Sequence, residues 1–187
     1  MDLHTAAIEG FFAIPLEHLS AVPVLVEAVR SDVNEKTVVV APDQGAVKRA
    51  ARYASLLDRP VAIVHKIRVS GEAVTVTGIT GDVRGCAPVI VDDMISTGGT
   101  IEAAVKALLA AGCLPDVTVV ASHALLVGPA ASRLQSLPLH RLVVSDSLVV
   151  PSGFPSPTQI VSLSAILADA ILRLHRDEAL RDFVMLE

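Results

Sequence analysis

Two adjacent acids, Asp92 and Asp93, end the apolar run 88–91. A stretch with almost no side chains follows them: Ser96, Thr97, Gly98, Gly99 and Thr100. A core strand has no use for paired carboxylates, and a plain turn does not need hydroxyls and glycines in this order. Small residues bare their backbone N–H groups, and a helix N-terminus adds partial positive charge. Together they favour an anion, phosphate above all. The hydroxyls of Ser96, Thr97 and Thr100 add donors. The two acids repel a phosphate and must address another part of the ligand. An ionised carboxylate accepts two hydrogen bonds from a vicinal diol. The chemistry is therefore that of a sugar phosphate. The alternative is an ordinary strand–turn–helix whose Ser or Thr caps the helix.

Further charged candidates lie elsewhere. Lys66 and Arg68 alternate, so an extended strand would put both on one face. Both could reach a transferred phosphate, or they form a solvated strand end. Lys48 and Arg49 fall in the first turn of an expected helix, where the dipole disfavours them. A phosphate partner and a solvated face are both open. Asp43 could hold Mg²⁺ through water or cap the same helix. His4 offers a free imidazole. His123 borders a strand end beside Ser122, either near the site or satisfied in the core. His18, His140 and His175 read as surface residues, and the run 145–147 could take a second phosphate or cap a turn.

Elements must bring these residues together. Short β-branched runs recur at 37–41, 61–65, 87–93, 117–126 and 141–147, as expected of buried parallel strands. Helical patterns lie between them at 45–57, 99–112 and 128–137. A partly helical segment spans 16–31, with Pro23 at its start or at a kink. A long C-terminal helix is predicted over 163–183. Alternating strands and helices imply an α/β fold, a parallel sheet covered on both faces. The segment 70–82 alternates Val and Thr between glycines and reads as a mobile β-hairpin or edge strand. Residues 151–157 read as a loop.

With 187 residues and half of them apolar, the chain fits one well-filled domain. A net charge of −5 argues against nonspecific nucleic-acid binding. Cys86 and Cys113 form no CxxC and are expected as buried free thiols. The N-terminus does not read as a signal peptide, and no stretch is long and apolar enough for a membrane span. A cytoplasmic protein is the expectation.

The run 89–100 resembles the phosphoribosyl diphosphate (PRPP) motif of the type I phosphoribosyltransferases: apolar residues, two acids, two variable positions, then a small residue, Thr, Gly, Gly, Thr. The resemblance implies a phosphoribosyltransferase-like fold with a parallel sheet of about five strands. It places Asp92 and Asp93 at the ribose hydroxyls and residues 96–100 around the 5-phosphate. Other segments resemble one branch, the ribose-phosphate diphosphokinases or PRPP synthetases. "DLHTAAIEGFFAIPLEHL" is similar to their interdomain segment, whose metal-binding His would be His4. "VVVAPDQGAVKRA" is similar to their pyrophosphate loop. This implies a pyrophosphate or ATP role for Asp43, Gln44, Gly45 and Lys48, with Asp43 also at the metal. "VAIVHKIR" resembles the start of their flexible loop, with Lys66 and Arg68 catalytic. Two positions differ: Ser96 stands where the synthetases usually have Asp, and Ala46 where a second loop glycine is usual. At residue 46 a methyl group could hinder close approach or a positive φ.

The resemblance implies Mg²⁺-dependent transfer of diphosphate from ATP to O1 of ribose 5-phosphate, giving PRPP and AMP. The alternatives are a stand-alone phosphoribosyltransferase using PRPP, or a non-catalytic regulatory subunit. Phosphoribosyltransferases usually add a base-recognising subdomain, none is evident here, and only Phe11, Phe12, Tyr53, Phe154 and Phe183 could stack on a base. Family enzymes have two related domains. The chain is expected as a single domain, 1–187, like the C-terminal one, with residues 1–20 like the connecting segment. The ATP-binding half would be absent and supplied by a partner chain. A homo-oligomer is expected, with the apolar segment 8–16 as interface.

Overall fold

The computed structural model describes residues 1–70, 73–151, 154 and 157–180. For residues 6, 67–70 and 73–75 it describes the backbone alone. Seven strands form one sheet: β1 (Thr37–Ala41), β2 (Val61–Ser70), β3 (Ala73–Thr80), β4 (Ala87–Ile95), β5 (Val117–Ala124), β6 (Leu139–Ser145) and β7 (Thr158–Val161). Their order is β3-β2-β1-β4-β5-β6-β7. All neighbours are parallel except β2 and β3, which pair antiparallel.

The central strands are rich in β-branched residues and mostly buried, residues 37–41 wholly so. Both faces are therefore covered. On one face lie α1 (Val22–Val29), α2 (Val47–Leu57) and the start of α5 (Ser164–His175). Leu25, Val29, Tyr53 and Ile166 pack there on Val39, Val91, Val120 and Val143. On the other lie α3 (Gly99–Ala110) and α4 (Ala130–Gln135), where Ile101, Leu108 and Leu134 pack on Ile90, Val119 and Leu142. Each fully buried side chain of this size contributes roughly 1.5–3 kcal/mol. Pro23 sits in the first turn of α1, where its missing N–H has no helical partner to lose.

Three expectations need correction. The sheet gains β7, since four residues after the Pro-rich loop pair with β6. The C-terminal helix stops at His175 instead of running to 183. Asp177 is left-handed at φ 55°, and the Glu178 N–H returns to the Arg173 carbonyl at 2.9 Å, closing the last turn. Residues 181–183 lie outside the described residues. His18 is not a surface residue: its Nε2 accepts the Leu3 N–H at 2.7 Å, and its Nδ1 faces Glu9 at 3.3 Å. The two cysteines are free, Cys113 buried and Cys86 half-buried. No helix among the described residues is long and apolar enough to cross a membrane.

The segment 70–82, expected as a hairpin or edge strand, supplies the edge strand β3, which pairs antiparallel with a β2 longer than the expected 61–65; residues 71 and 72 lie outside the described residues. Gly81, at φ +103°, ends β3 against the start of β2. A Cβ there would fall 2.8 Å from the Val61 carbonyl and 3.0 Å from Ala62 Cα, both backbone atoms. Gly81→Ala should therefore destabilise the protein by roughly 2–4 kcal/mol, read as a lower urea midpoint. An unchanged midpoint would contradict this packing.

Candidate functional site

The strand order reverses direction between β1 and β4. In an open parallel sheet the crevice beyond the carboxyl ends of two such strands is left uncovered, because their connections run to opposite faces. Here Asp43 follows β1, and Asp92 and Asp93 lie in the carboxyl half of β4, before the 96–98 loop. The cleft holds about 650 Å³. It is lined by His4, Asp43, Gly45, Arg49, Lys66, Asp92, Asp93 and residues 94–101.

Gly98 is left-handed at φ +75° and leads into α3, whose first turn carries no side-chain cap. The loop's hydroxyls and N–H groups thus border the cleft, with Ser96, Thr97, Gly98, Gly99 and Thr100 all lining it. The Asp92 carboxylate accepts the Asp93 N–H at 2.9 Å, and Asp93 accepts the Met94 N–H at 2.8 Å. His4 Nδ1 donates to Asp93 at 2.8 Å. Arg49, almost wholly buried, points its guanidinium at both acids, 3.7 Å from Asp92 and 3.5 Å from Asp93. The two carboxyls differ electrostatically. Burial, then the neighbouring Asp93 and Asp43, push the Asp92 pKa up to about 7. Burial also works against Asp93, but His4 and Arg49 outweigh it and hold its pKa below the usual carboxylate range.

Lys66 projects from β2 toward α3. Its ammonium lies 2.7 Å from Asp43 and donates to Thr100 Oγ1 at 3.0 Å. Asp43 caps the short helical turn Gln44–Ala46, accepting the N–H of Gly45 at 2.9 Å and of Ala46 at 3.2 Å. The capping role left open in the sequence is thus observed. Ala46 sits at φ −88° with its methyl in the core, so this backbone requires no glycine there. Arg68 pairs through its backbone with Val74, and its side chain lies outside the described residues.

Two expected residues are placed differently. Lys48 is exposed and does not line the cleft, whereas its neighbour Arg49 does. The Gln44 amide is engaged 2.7 Å from His65 Nδ1, while His65 Nε2 meets Thr80 Oγ1 at 2.7 Å. His65 faces opposite to Lys66. The middle of β2 is therefore held by Gln44 on one face and by Thr100 on the other.

His123 is satisfied rather than free, bonded to Ser147 Oγ at 2.8 Å and to the Asp2 carbonyl at 3.1 Å. The Ser145 hydroxyl accepts the Ser147 N–H at 3.2 Å, the turn-capping alternative for 145–147, while Asp146 accepts the Leu163 N–H at 2.9 Å just before α5. Asp2 went unnoticed in the sequence. It is fully buried and accepts from Ala21 N–H at 3.0 Å and Ser122 Oγ at 2.5 Å, which fastens the segment carrying His4.

No group of three His, Cys, Asp or Glu among the described residues is arranged to hold a metal ion. His4 and Asp43 nevertheless both face the cleft. One carboxylate and few protein ligands suit Mg²⁺, which keeps waters and takes its other oxygens from substrate phosphates.

The family model for the phosphoribosyl transferase domain matches residues 20–142. The ribose-phosphate pyrophosphokinase of Streptomyces avermitilis is 44% identical over 181 residues, taking in 95% of this chain and 56% of that protein. The Staphylococcus haemolyticus protein of the same name is 38% identical over 183 residues, 96% of this chain and 57% of its own. The crystal structure of phosphoribosylpyrophosphate synthetase from Mycobacterium smegmatis superposes with a TM-score of 0.78 at 32% identity, over 94% of this chain and 57% of that one. The chain spans little more than half the length of the curated relatives it matches. The family match begins just before α1, ends inside β6 and takes in every cleft residue except His4. The chain belongs to the phosphoribosyl transferase domain family.

Proposed function

We propose that the chain is the ribose-phosphate-binding part of a cytoplasmic ribose-phosphate diphosphokinase. The reaction moves the β,γ-diphosphoryl group of ATP to O1 of ribose 5-phosphate, giving PRPP and AMP. The observation that carries this reading is the meeting of Lys66, Asp43, the acid pair and the 96–100 cradle in one cleft.

Asp92 and Asp93 accept the ribose diol, and residues 96–100 surround the 5-phosphate. That fixes O1 at the other end of the sugar, toward Lys66 and the 44–46 turn. O1 attacks the β-phosphorus and releases its proton to solvent, while the bond from the β-phosphorus to the bridging oxygen breaks and that oxygen leaves with AMP. Negative charge spreads over the diphosphoryl group and onto the departing AMP. Lys66, with Arg68, meets that charge, and Gly45 lies on the pyrophosphate side, with Gln44 and Lys48 beside it but outside the cleft lining. Mg²⁺, taken through Asp43 and His4, supplies further positive charge on the phosphate oxygens when bound. In this structure the ammonium of Lys66 is neutralised by Asp43, so binding of the substrates must exchange that partner for phosphate.

The cleft contains no aromatic side chain among the described residues, and Tyr53 is wholly buried in the core. That favours a diphosphokinase over a transferase that stacks a nucleobase. The ATP-binding surface is completed by a further domain, in the same protein or a partner chain, within a homo-oligomer. Phe11 and Ile14, 89% and 70% exposed, offer it an apolar contact.

The test is AMP release from ATP with ribose 5-phosphate and Mg²⁺, beside calorimetric binding of ribose 5-phosphate. Sugar-dependent AMP formation that drops about 10²–10³-fold in Lys66→Ala is the expected result once the ATP site is complete. Binding without AMP release would point to the further domain. Absence of ribose 5-phosphate binding would overturn the reading.

A further inference from the structure

The cradle loop is held from behind by a residue that never enters the cleft. Arg133, on α4, donates from Nη1 to the Thr97 carbonyl at 3.1 Å, while its Nε faces Glu102 of α3 at 3.2 Å. It does not line the cleft, whereas Thr97, Gly98 and Gly99 do. Its Nη1 would stand 3.3 Å from a Cβ at residue 99, so glycine there leaves room for the guanidinium. A Cβ at Gly98 would point at α4, 3.6 Å from Ala130 Cα and 3.7 Å from Arg133 Cβ.

The peptide between Thr97 and Gly98 is trans, as are all those described. In a trans peptide the carbonyl and the following N–H point in opposite directions. Arg133 draws the Thr97 carbonyl outward toward α4. The Gly98 N–H must then turn toward the cleft, and it has no acceptor among the described residues. The left-handed φ of Gly98 permits this orientation.

We infer that Arg133 is a positioning residue for phosphomonoester recognition: by holding the Thr97 carbonyl outside, it aims the Gly98 N–H at the sugar's 5-phosphate. This rests on the ribose-phosphate reading above. It adds a residue that touches no ligand and acts through one peptide plane.

The experiment compares wild type, Arg133→Ala and Arg133→Lys. It measures affinity for ribose 5-phosphate and for ribose, the amide ¹H–¹⁵N shift of Gly98 during each titration, and the melting temperature. In Arg133→Ala, ribose 5-phosphate should bind about tenfold more weakly, the scale of one charge-assisted hydrogen bond. Ribose affinity should be unchanged, and the Gly98 amide should lose its response to the phosphate. Melting should shift little, since the pair with Glu102 is partly exposed. A lysine can reach the carbonyl or Glu102 but cannot fork between them, so Arg133→Lys should fall in between. If either variant binds ribose 5-phosphate as wild type does, with the Gly98 shift intact, the inference is overturned. So is it if ribose affinity falls in parallel, which would mark general loosening. Failure of wild type to bind ribose 5-phosphate would instead overturn the functional reading, and this inference with it.

Discussion

Asp92→Asn should raise the melting temperature at pH 8 by roughly 5–10 °C and leave it nearly unchanged at pH 4. The folded pKa of Asp92 lies at about 7, above its ordinary value, because the carboxyl is buried beside Asp93 and Asp43. Between the ordinary carboxylate range and pH 7 the native state keeps a proton that the unfolded chain has released. Stability therefore falls as pH rises through that window and is lowest above it. Asparagine has no charge to bury and still accepts the Asp93 N–H, so it removes a penalty of roughly 2–4 kcal/mol at pH 8. The same change should weaken ribose 5-phosphate by about one to two orders of magnitude, because a charged acceptor for the diol is lost. Melting curves at the two pH values and calorimetry measure both. A variant that melts below wild type at pH 8 would show that Asp92 is not a destabilising charge. The cleft would then lack the stability–function conflict expected of a binding site.

Asp2→Ala should cost about 3 kcal/mol or more, since it strands two buried donors, the Ala21 N–H and the Ser122 hydroxyl. Asp2→Asn keeps an acceptor oxygen for both and should cost less. The effect should reach the cleft. His4 lies two residues along from this anchor and donates to Asp93, and that bond helps hold the Asp93 pKa down. Loosening the anchor should therefore raise the Asp93 pKa and weaken ribose 5-phosphate binding. Denaturant titration reads the stability, and carboxyl chemical shifts read Asp93. A stability within about 0.5 kcal/mol of wild type would show that this buried network contributes little.

Much of the sheet was legible because its central strands are rich in β-branched residues, and Thr37–Ala41 begins and ends where the pattern does. The acid pair and the glycine loop were legible because no packing role explains their order. Other features were hidden for physical reasons. Arg49 shares the helix face of Ala50, Tyr53 and Leu57, and a charge on a buried face reads as solvent-facing until the acids beneath it are known. His65 looked like one more strand residue, because its partners Gln44 and Thr80 are distant in sequence. β7 is only four residues long, and its pairing with β6 leaves no periodic trace. Asp2 gave no signal at all, since a buried acid is defined by partners 19 and 120 residues away.

Of the two register irregularities between β2 and β3 among the described residues, one lies beside Lys66. His65 pairs with Gly78, but Lys66 pairs with Val76, so Thr77 is an extra residue on β3, and its hydroxyl donates to the His65 carbonyl. Val76 and Ile79 consequently both pack inward, although three positions separate them. Such an offset works as a ratchet tooth. A sliding strand would have to carry the bulge with it and break the bond at His65, so the height of Lys66 above Thr100 is set locally. Residues added or removed between Ser70 and Ala73 would change the length of the hairpin but not the reach of its lysine. Related chains can therefore differ in length there while keeping the same cationic end beside Thr100.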